Sequence, residues 1–429
     1  MIWWGVAGFS VLLLVVGTAM AYAVGAGSVL AFFASDNGRY LAVIPQRIFS
    51  QIDVFALMAM PLFILTGEIM TRAGITKALI DFPLALMGKL KGGLGYVTVT
   101  ASVFLSGISG SATADAAALG STVVPAMRDK GYSNVYASTL ISAASVIGPI
   151  IPPSIIMIFY SAMMGPSVPA LFVAGILPGL LLALVLFGAN FYYARRDNHP
   201  GGGPDDELPR LGPAFLRALP ALSLPVIVLG GMVFGVVTPT EAAALAVVAA
   251  IAVGLYYGGL TWQGLVQSLE YTAALTGAIF IILGAVSCFE WLAGHEQLPQ
   301  RLAGFVTELK LDLPMYLLIM NVTFLIAGTF LEPPIALALL VPLLAKPALA
   351  LGADPVHLGI VLCVNLTIGM ITPPVGGSLL VVSAVTKVEY WSLCRAILPF
   401  AAVEAVLLLT VITYVPEISL YLPRLFGLL

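Results

Sequence analysis

Two short stretches, "IGPIIPPSI" at 147–155 and "IGMITPPVG" at 368–376, interrupt segments that otherwise read as apolar helices. In a helix the carbonyl of residue i accepts from the N–H of residue i+4, and proline has no N–H. Gly148 faces Pro152 and Pro149 faces Pro153, so both carbonyls lose their helical donor. Pro373 and Pro374 do the same to Gly369 and Met370. An unsatisfied carbonyl in hydrocarbon is costly, and backbone oxygens without donors suit a sodium ion. One isolated proline would read as a kink patched by a nearby serine, threonine or water; two equivalent breaks favour ion sites.

Two acids stand in matching frames. Asp115 precedes Pro125 by ten residues in "DAAALGSTVVP", and Glu332 precedes Pro342 by ten in "EPPIALALLVP". Acids inside a membrane are functional by default, which makes both candidates for ion or proton ligands. Capping the first turn of a returning helix is an equal alternative for each. Glu241, in "TPTEAAAL", reads as the acidic first turn of a helix capped by Thr238 or Thr240.

The surroundings of these residues are set by composition. Of 429 residues, 60% are hydrophobic and 9% charged, and mean hydropathy is +1.06, so the bilayer is the main solvent. Runs of about 20 apolar residues, enough for one helical crossing, recur at 169–193, 216–237 and 392–414. The most polar stretch, "RRDNHPGGGPDDELPRLGP" at 195–213, is a cytoplasmic linker between two halves. The start "MIWWGVAGFSVLLLVV" lacks a cationic region and a cleavage site, so a retained span is expected. Cys288, Cys363 and Cys394 sit in apolar runs without ligand spacing, as buried small hydrophobes do. His199, His295 and His357 fall in loop-like contexts. Trp3, Trp4, Trp262, Trp291 and Trp391 lie near span ends as interfacial anchors. No nucleic-acid partner is expected.

The order of features repeats. Lys89 and Lys91 precede residues 94–128, and Arg128 and Lys130 close them. Cationic flanks favour the cytoplasm, so both ends lie on one side and the segment is a re-entrant hairpin turning in "SGISGSATAD". The second half repeats the order, with a hairpin at 315–351 turning in "AGTFLEPP" and a broken span at 356–386, to match the broken span at 133–164. An odd number of crossings per half inverts the second. The expected fold is an all-α polytopic membrane protein, an inverted repeat of about five spans plus one re-entrant helical hairpin per half. Its repeats span residues 1–194 and 214–429, with scaffold at 1–72 and 216–257. Residues 2–35 are two short spans bent near Gly17 or one tilted span. Helices that start at breaks and hairpin tips present free N–H groups and a positive dipole end, which suits an anionic, carboxylate-bearing substrate.

"MPLFILTGEIM", "SGISGSATADAAALGSTVVPAMRDKGY", "VIGPIIPPSIIMI", "TPTEAAAL" and "IGMITPPVG" together resemble the large membrane subunit of tripartite ATP-independent periplasmic (TRAP) transporters, over essentially the whole chain. That resemblance implies a sodium-driven secondary importer, not an enzyme, in a bacterial inner membrane. It implies an elevator-type transporter, a separate small membrane subunit of four spans, a periplasmic substrate-binding protein and an organic anion as substrate. It places two or more sodium ions at Ser106, Gly148 and Ile151 in the first half and at Gly328, Gly369, Thr372 and Val375 in the second. Ser109, Ser111, Thr113, Thr329 and Asn365 are the substrate-contact candidates. The alternative is a self-sufficient sodium or proton symporter that needs no binding protein.

Overall fold

The computed structural model describes residues 8–10, 12–13, 16–201 and 208–429. Trp3, Trp4, the start of the 2–35 stretch and the centre of the linker lie outside them. The described regular structure is helical, without strands, and eight helices are long and apolar enough to cross a membrane.

The first half contains α1 (Met20–Ala34), a short amphipathic α2 (Ile44–Ile52), α3 (Ala59–Arg72) and α4 (Ile75–Met87). Then come α5 (Gly93–Ser109), α6 (Ala112–Asp129), α7 (Asn134–Ser145), α8 (Ile155–Met164) and the long α9 (Val168–Arg196). The second half runs through α10 (Leu211–Val233), α11 (Pro239–Tyr256), α12 (Trp262–His295) and α13 (Leu298–Glu308). It ends with α14 (Leu313–Phe330), α15 (Pro333–Ala350), α16 (Pro355–Gly369), α17 (Gly377–Thr386), α18 (Tyr390–Ala402), α19 (Leu409–Tyr414) and α20 (Glu417–Leu425).

Local sequence explains where these helices stop. Gly110 takes the left-handed conformation (φ 59°) that ends α5, and Ser111 opens α6 by accepting from the Ala114 N–H. α15 starts on Pro333 and Pro334, where a missing N–H removes nothing the helix needs. Thr238 and Glu241 form a reciprocal capping box at the start of α11, so the cap is Thr238. The short helices after the breaks end alike. Gly165 and Lys387 are left-handed C-caps, Ser161 Oγ donates to the Pro166 carbonyl (2.7 Å), and Ser383 Oγ donates to the Val388 carbonyl (2.8 Å). The Pro152–Pro153 and Pro373–Pro374 peptides are both cis.

Packing relates the halves reciprocally. α8 lies on α15 and α16 of the other half, while α17 lies on α6 and α7. α16 is buried from Val356 to Gly369, which accounts for a sequence apolar on every face. A second group forms where α3 meets α11 and α12, and α12 meets α1 and α2. Its outer helices α10 and α11 expose Val226, Ile227, Val248 and Leu255.

Local packing adds detail to several of these residues. Trp291 is half-buried and stacks between Phe32 (5.4 Å) and His295 (5.2 Å) in the α1–α12 contact. Trp262 and Trp391 are exposed at helix starts. Of the histidines, His199 lies in the loop after α9 as expected, whereas His295 and His357 are helical. His357 is buried, bonded to Ser419 Oγ (2.6 Å) and the Thr413 carbonyl (3.1 Å); His199 packs on Tyr136; His295 ends α12. The three cysteines are free and buried.

Candidate ion and substrate site

Both hairpin tips rest on the breaks. A Cβ on Gly110 would lie 2.5 Å from the Pro153 carbonyl oxygen, so only glycine lets the first tip settle there. In the second half the tip and break meet glycine to glycine: a Cβ on Gly369 would lie 2.6 Å from the Gly328 carbonyl carbon.

At the first tip, Ser109 Oγ donates to Asp115 Oδ1 at 2.6 Å, and Ser111 Oγ lies 3.1 Å from Thr113 Oγ1. Asp115 is buried, and its other oxygen, Oδ2, has no hydrogen-bond partner among the described residues. That oxygen points at the break, since a Cβ on Gly148 would lie 2.5 Å from it. The helix cap is Ser111, so Asp115 is a first-turn acid whose side chain bonds no backbone N–H. Ser106 lies one turn below, its hydroxyl on the Val103 carbonyl (2.6 Å) and its carbonyl receiving the Gly110 N–H (3.3 Å). The Ile151 side chain packs on Gly179 of α9.

The expected deficit of donors is only partly real. The Pro149 carbonyl accepts from Ser154 Oγ (2.5 Å), the Gly369 carbonyl from the Thr372 N–H (2.9 Å), and the Met370 carbonyl from the Ser378 N–H (3.0 Å). Both breaks wind into tight turns that bring other donors within reach, which helical i+4 arithmetic does not foresee. Among the described residues only the Gly148 carbonyl of these four finds no donor. Ser154, directly after Pro-Pro and also capping α8 through the Met157 N–H (3.3 Å), was legible as a cap. Tyr390, whose hydroxyl donates to the Pro374 (2.8 Å) and Val375 (2.7 Å) carbonyls, carries no local signal.

Around the second break, Thr372 Oγ1 donates to the Ile368 carbonyl (2.9 Å), and the Thr329 carbonyl accepts from the Gly376 N–H (3.1 Å). Thr329 Oγ1 turns back onto Leu325 (3.0 Å). Asn365 is fully buried one turn earlier, donating to the Asn321 carbonyl (2.9 Å) and to Asn321 Oδ1 (3.0 Å). Asn365 Oδ1 and Ser378 Oγ have no partners among the described residues. Glu332 takes the N-cap position of α15 without a side-chain capping bond and is exposed.

The two sets converge on one cleft of about 150 Å³. Gly110, Ser111 and Thr113 come from the first tip, Pro149 and Ile155 from the first break, Glu332 and Pro333 from the second tip, and Met370 from the second break. The opposite wall is α12, through Tyr271, Leu275 and Ile279, a contribution the sequence reading missed. Ser109, Thr329 and Asn365 do not line it. The N–H groups of Ala112, Thr113, Ile155 and Ile156, at the starts of α6 and α8, have no acceptor among the described residues. Two helix N-termini with free donors therefore open on one cleft, an arrangement that favours a bound anion.

The family model described as "Tripartite ATP-independent periplasmic transporter, DctM component" matches residues 7–418. The chain belongs to this family. It is 38% identical to the sialic acid TRAP transporter large permease protein SiaM of Vibrio cholerae, over 92% of this chain and 93% of the relative. It is 39% identical to the C4-dicarboxylate TRAP transporter large permease protein DctM of Pseudomonas aeruginosa, over 92% of each. The isethionate TRAP transporter permease protein DctMQ of Oleidesulfovibrio alaskensis is 36% identical over 96% of this chain and 65% of its own length. In fold, the crystal structure of the Alcanivorax borkumensis YdaH transporter is similar, with a TM-score of 0.63 at 13% identity and 88% of each chain covered. This DctM-family chain is thus a TRAP large permease, a multi-pass inner-membrane transporter and not an enzyme. Among the described residues of the permease, no cluster of histidine, cysteine or carboxylate could hold a transition metal.

Proposed function

We propose that this permease is a sodium-coupled importer of a small organic anion, a carboxylate or sulfonate. The observation that carries this reading is the convergence of two N-termini with free N–H donors, and of both hairpin tips, on one cleft against α12. The relatives named for sialic acid, a C4-dicarboxylate and isethionate all act on anions, which supports the same substrate class.

Residues present at both breaks fit a sodium ion. Hard cations take oxygen ligands. The first break offers Asp115 Oδ2 and the Gly148 carbonyl, in a cradle that a Cβ at Gly148 would fill. The second offers Asn365 Oδ1 and Ser378 Oγ, both buried, on the helices α16 and α17 that flank the break. Bound sodium would supply positive charge and fix each tip on its break. In this reading the tips then hold the anion through the α6 and α8 N–H groups, with Ser111 and Thr113 alongside. Residues 94–128, 133–164, 315–351 and 356–386 move together as an elevator against a scaffold that includes 1–72 and 216–257. A separate small membrane subunit steadies that scaffold, and a periplasmic binding protein delivers substrate.

The test is uptake of a labelled organic anion into proteoliposomes holding the permease and its small subunit. The expected result is accumulation that requires both an inward sodium gradient and the loaded binding protein. Accumulation with potassium replacing sodium, or with free substrate alone, overturns the coupling or the partnership respectively.

A further inference from the structure

Glu332, the acid of the second hairpin tip, lines the cleft at the start of α15 and makes no capping bond. It also forms no ion pair among the described residues. The wall opposite is α12, where Tyr271, Leu275 and Ile279 follow at four-residue spacing and so share one face. Gln267 continues that face by one turn toward the start of the helix. Its Oε1 accepts from Arg72 Nη1 at 2.8 Å, and Arg72 Nε donates to Glu68 Oε2 at 3.1 Å.

Arg72 ends α3, so the scaffold sets a guanidinium at the Tyr271 end of the cleft wall. Glu68, Arg72 and Glu332 are the charged groups that act on the Tyr271 hydroxyl, two from α3 and one from the tip. A guanidinium carries five N–H donors. Arg72 uses two of them, and the others remain on a side chain that is 34% exposed. Closing the tip on α12 expels the water around the Glu332 carboxylate. The apolar positions Leu275 and Ile279 offer that charge nothing in return, whereas Arg72 offers a planar fork of donors.

We infer that Glu332 and Arg72 form a gate, in which the second tip closes on α12 by bringing its carboxylate to the free donors of Arg72 across Tyr271. Glu68 competes for the same guanidinium and so opposes closure. The pair is weak while water fills the mouth and strengthens as water leaves. Closure is thereby tied to a ligand that displaces the water. The gate rests on the reading of this cleft as the substrate site.

The test needs no identified substrate. Leu275→Cys puts a reporter thiol in the cleft wall of the full-length permease in nanodiscs, where the three native cysteines are buried. N-ethylmaleimide labels it at a rate set by how often the gate is open. Glu332→Gln and Arg72→Gln should each raise that rate about three- to fivefold, and Arg72→Lys should leave it nearly unchanged. Glu68→Gln frees Arg72 and should lower the rate. Glu332→Arg combined with Arg72→Glu should restore slow labelling, which a merely structural Arg72 would not allow. Equal, measurable labelling in all variants overturns the gate and leaves the anion reading standing. A thiol that labels in none of them shows a cleft closed to water, which removes the substrate reading and the gate with it. Should Arg72→Gln fail to insert, an unchanged rate in Glu332→Gln, at an exposed position, overturns the gate by itself.

Discussion

The two breaks share a Gly-x-x-x-Pro-Pro pattern but build different oxygen environments. At the first, a carbonyl without a donor lies beside a buried acid with a free oxygen. At the second, the carbonyls of Gly369 and Met370 have donors, and the free oxygens belong to uncharged side chains, Asn365 and Ser378. The equivalent acid, Glu332, stands exposed in the cleft. Under the proposed sodium coupling, a cation at the first break would be neutralised by an ionised Asp115, whereas one at the second would keep its charge. One repeated motif can thus yield two sites of unequal electrostatic character, because the motif sets the turn and its neighbours set the ligands.

The largest effect should come from Gly369→Ala. Its new methyl meets Gly328 backbone at 2.6 Å, and neither chain can yield without lifting the tip from the break. Uptake should be lost although the protein still inserts in the membrane. Gly148→Ala meets mainly the Asp115 carboxylate, a side chain that can shift at an overpacking cost of about 1–3 kcal/mol. It should therefore retain measurable uptake with weakened sodium dependence. Equal loss in both variants would show that the two breaks are sterically alike.

Charge supplies the next test. Asp115→Asn keeps an acceptor for Ser109 but removes the carboxylate facing Gly148. The sodium concentration for half-maximal uptake should rise about tenfold, the equivalent of roughly 1.4 kcal/mol of lost interaction. Glu332→Gln, solvated in the cleft, should move it several-fold less and alter substrate KM instead. The reverse order would transfer the charged ion site to the second half.

How much of this was legible follows from what determines each feature. The breaks, the hairpins and the pairing of Asp115 with Glu332 are written in local chemistry, since proline, glycine and capping residues act within a few positions of themselves. The donors that answer the breaks were legible only where they are near in sequence. Ser154 follows its break directly, while Tyr390 reaches Pro374 and Val375 from another helix. The α12 wall of the cleft and the stacking of Trp291 on Phe32 arise from packing between distant segments.

Hydroxyls at the two breaks offer a smaller contrast. Ser154 is fully buried and both answers the Pro149 carbonyl and caps α8. Ser154→Ala leaves a buried carbonyl unpaired and should cost about 1–3 kcal/mol in denaturant unfolding of the detergent-solubilised protein. Ser378 is equally buried, but its hydroxyl has no partner, so Ser378→Ala should leave stability nearly unchanged and reduce sodium dependence. A stability loss in Ser378→Ala matching that of Ser154→Ala would make Ser378 a structural residue and remove it from the ion site.

Each broken span has a histidine contact, His357 from within the second and His199 against the first, and the two are held differently. His357 on α16 is fixed by two hydrogen bonds, whereas His199, from the linker, packs on Tyr136 of α7 at 4.2 Å with Nδ1 unpartnered. Burial holds His199 below its ordinary value of 6.5, opposed by Asp197 and aided by Arg196 and Lys91. The folded state thus binds fewer protons than the unfolded state. The linker's contribution is complete above pH 6.5, falls as pH drops through that value, and levels off below the folded pKa. His199→Phe keeps the aromatic contact and removes the titration, so it should flatten the stability profile between about pH 7 and 5. An unchanged slope would trace the pH dependence to another group and leave the linker contact as apolar packing alone.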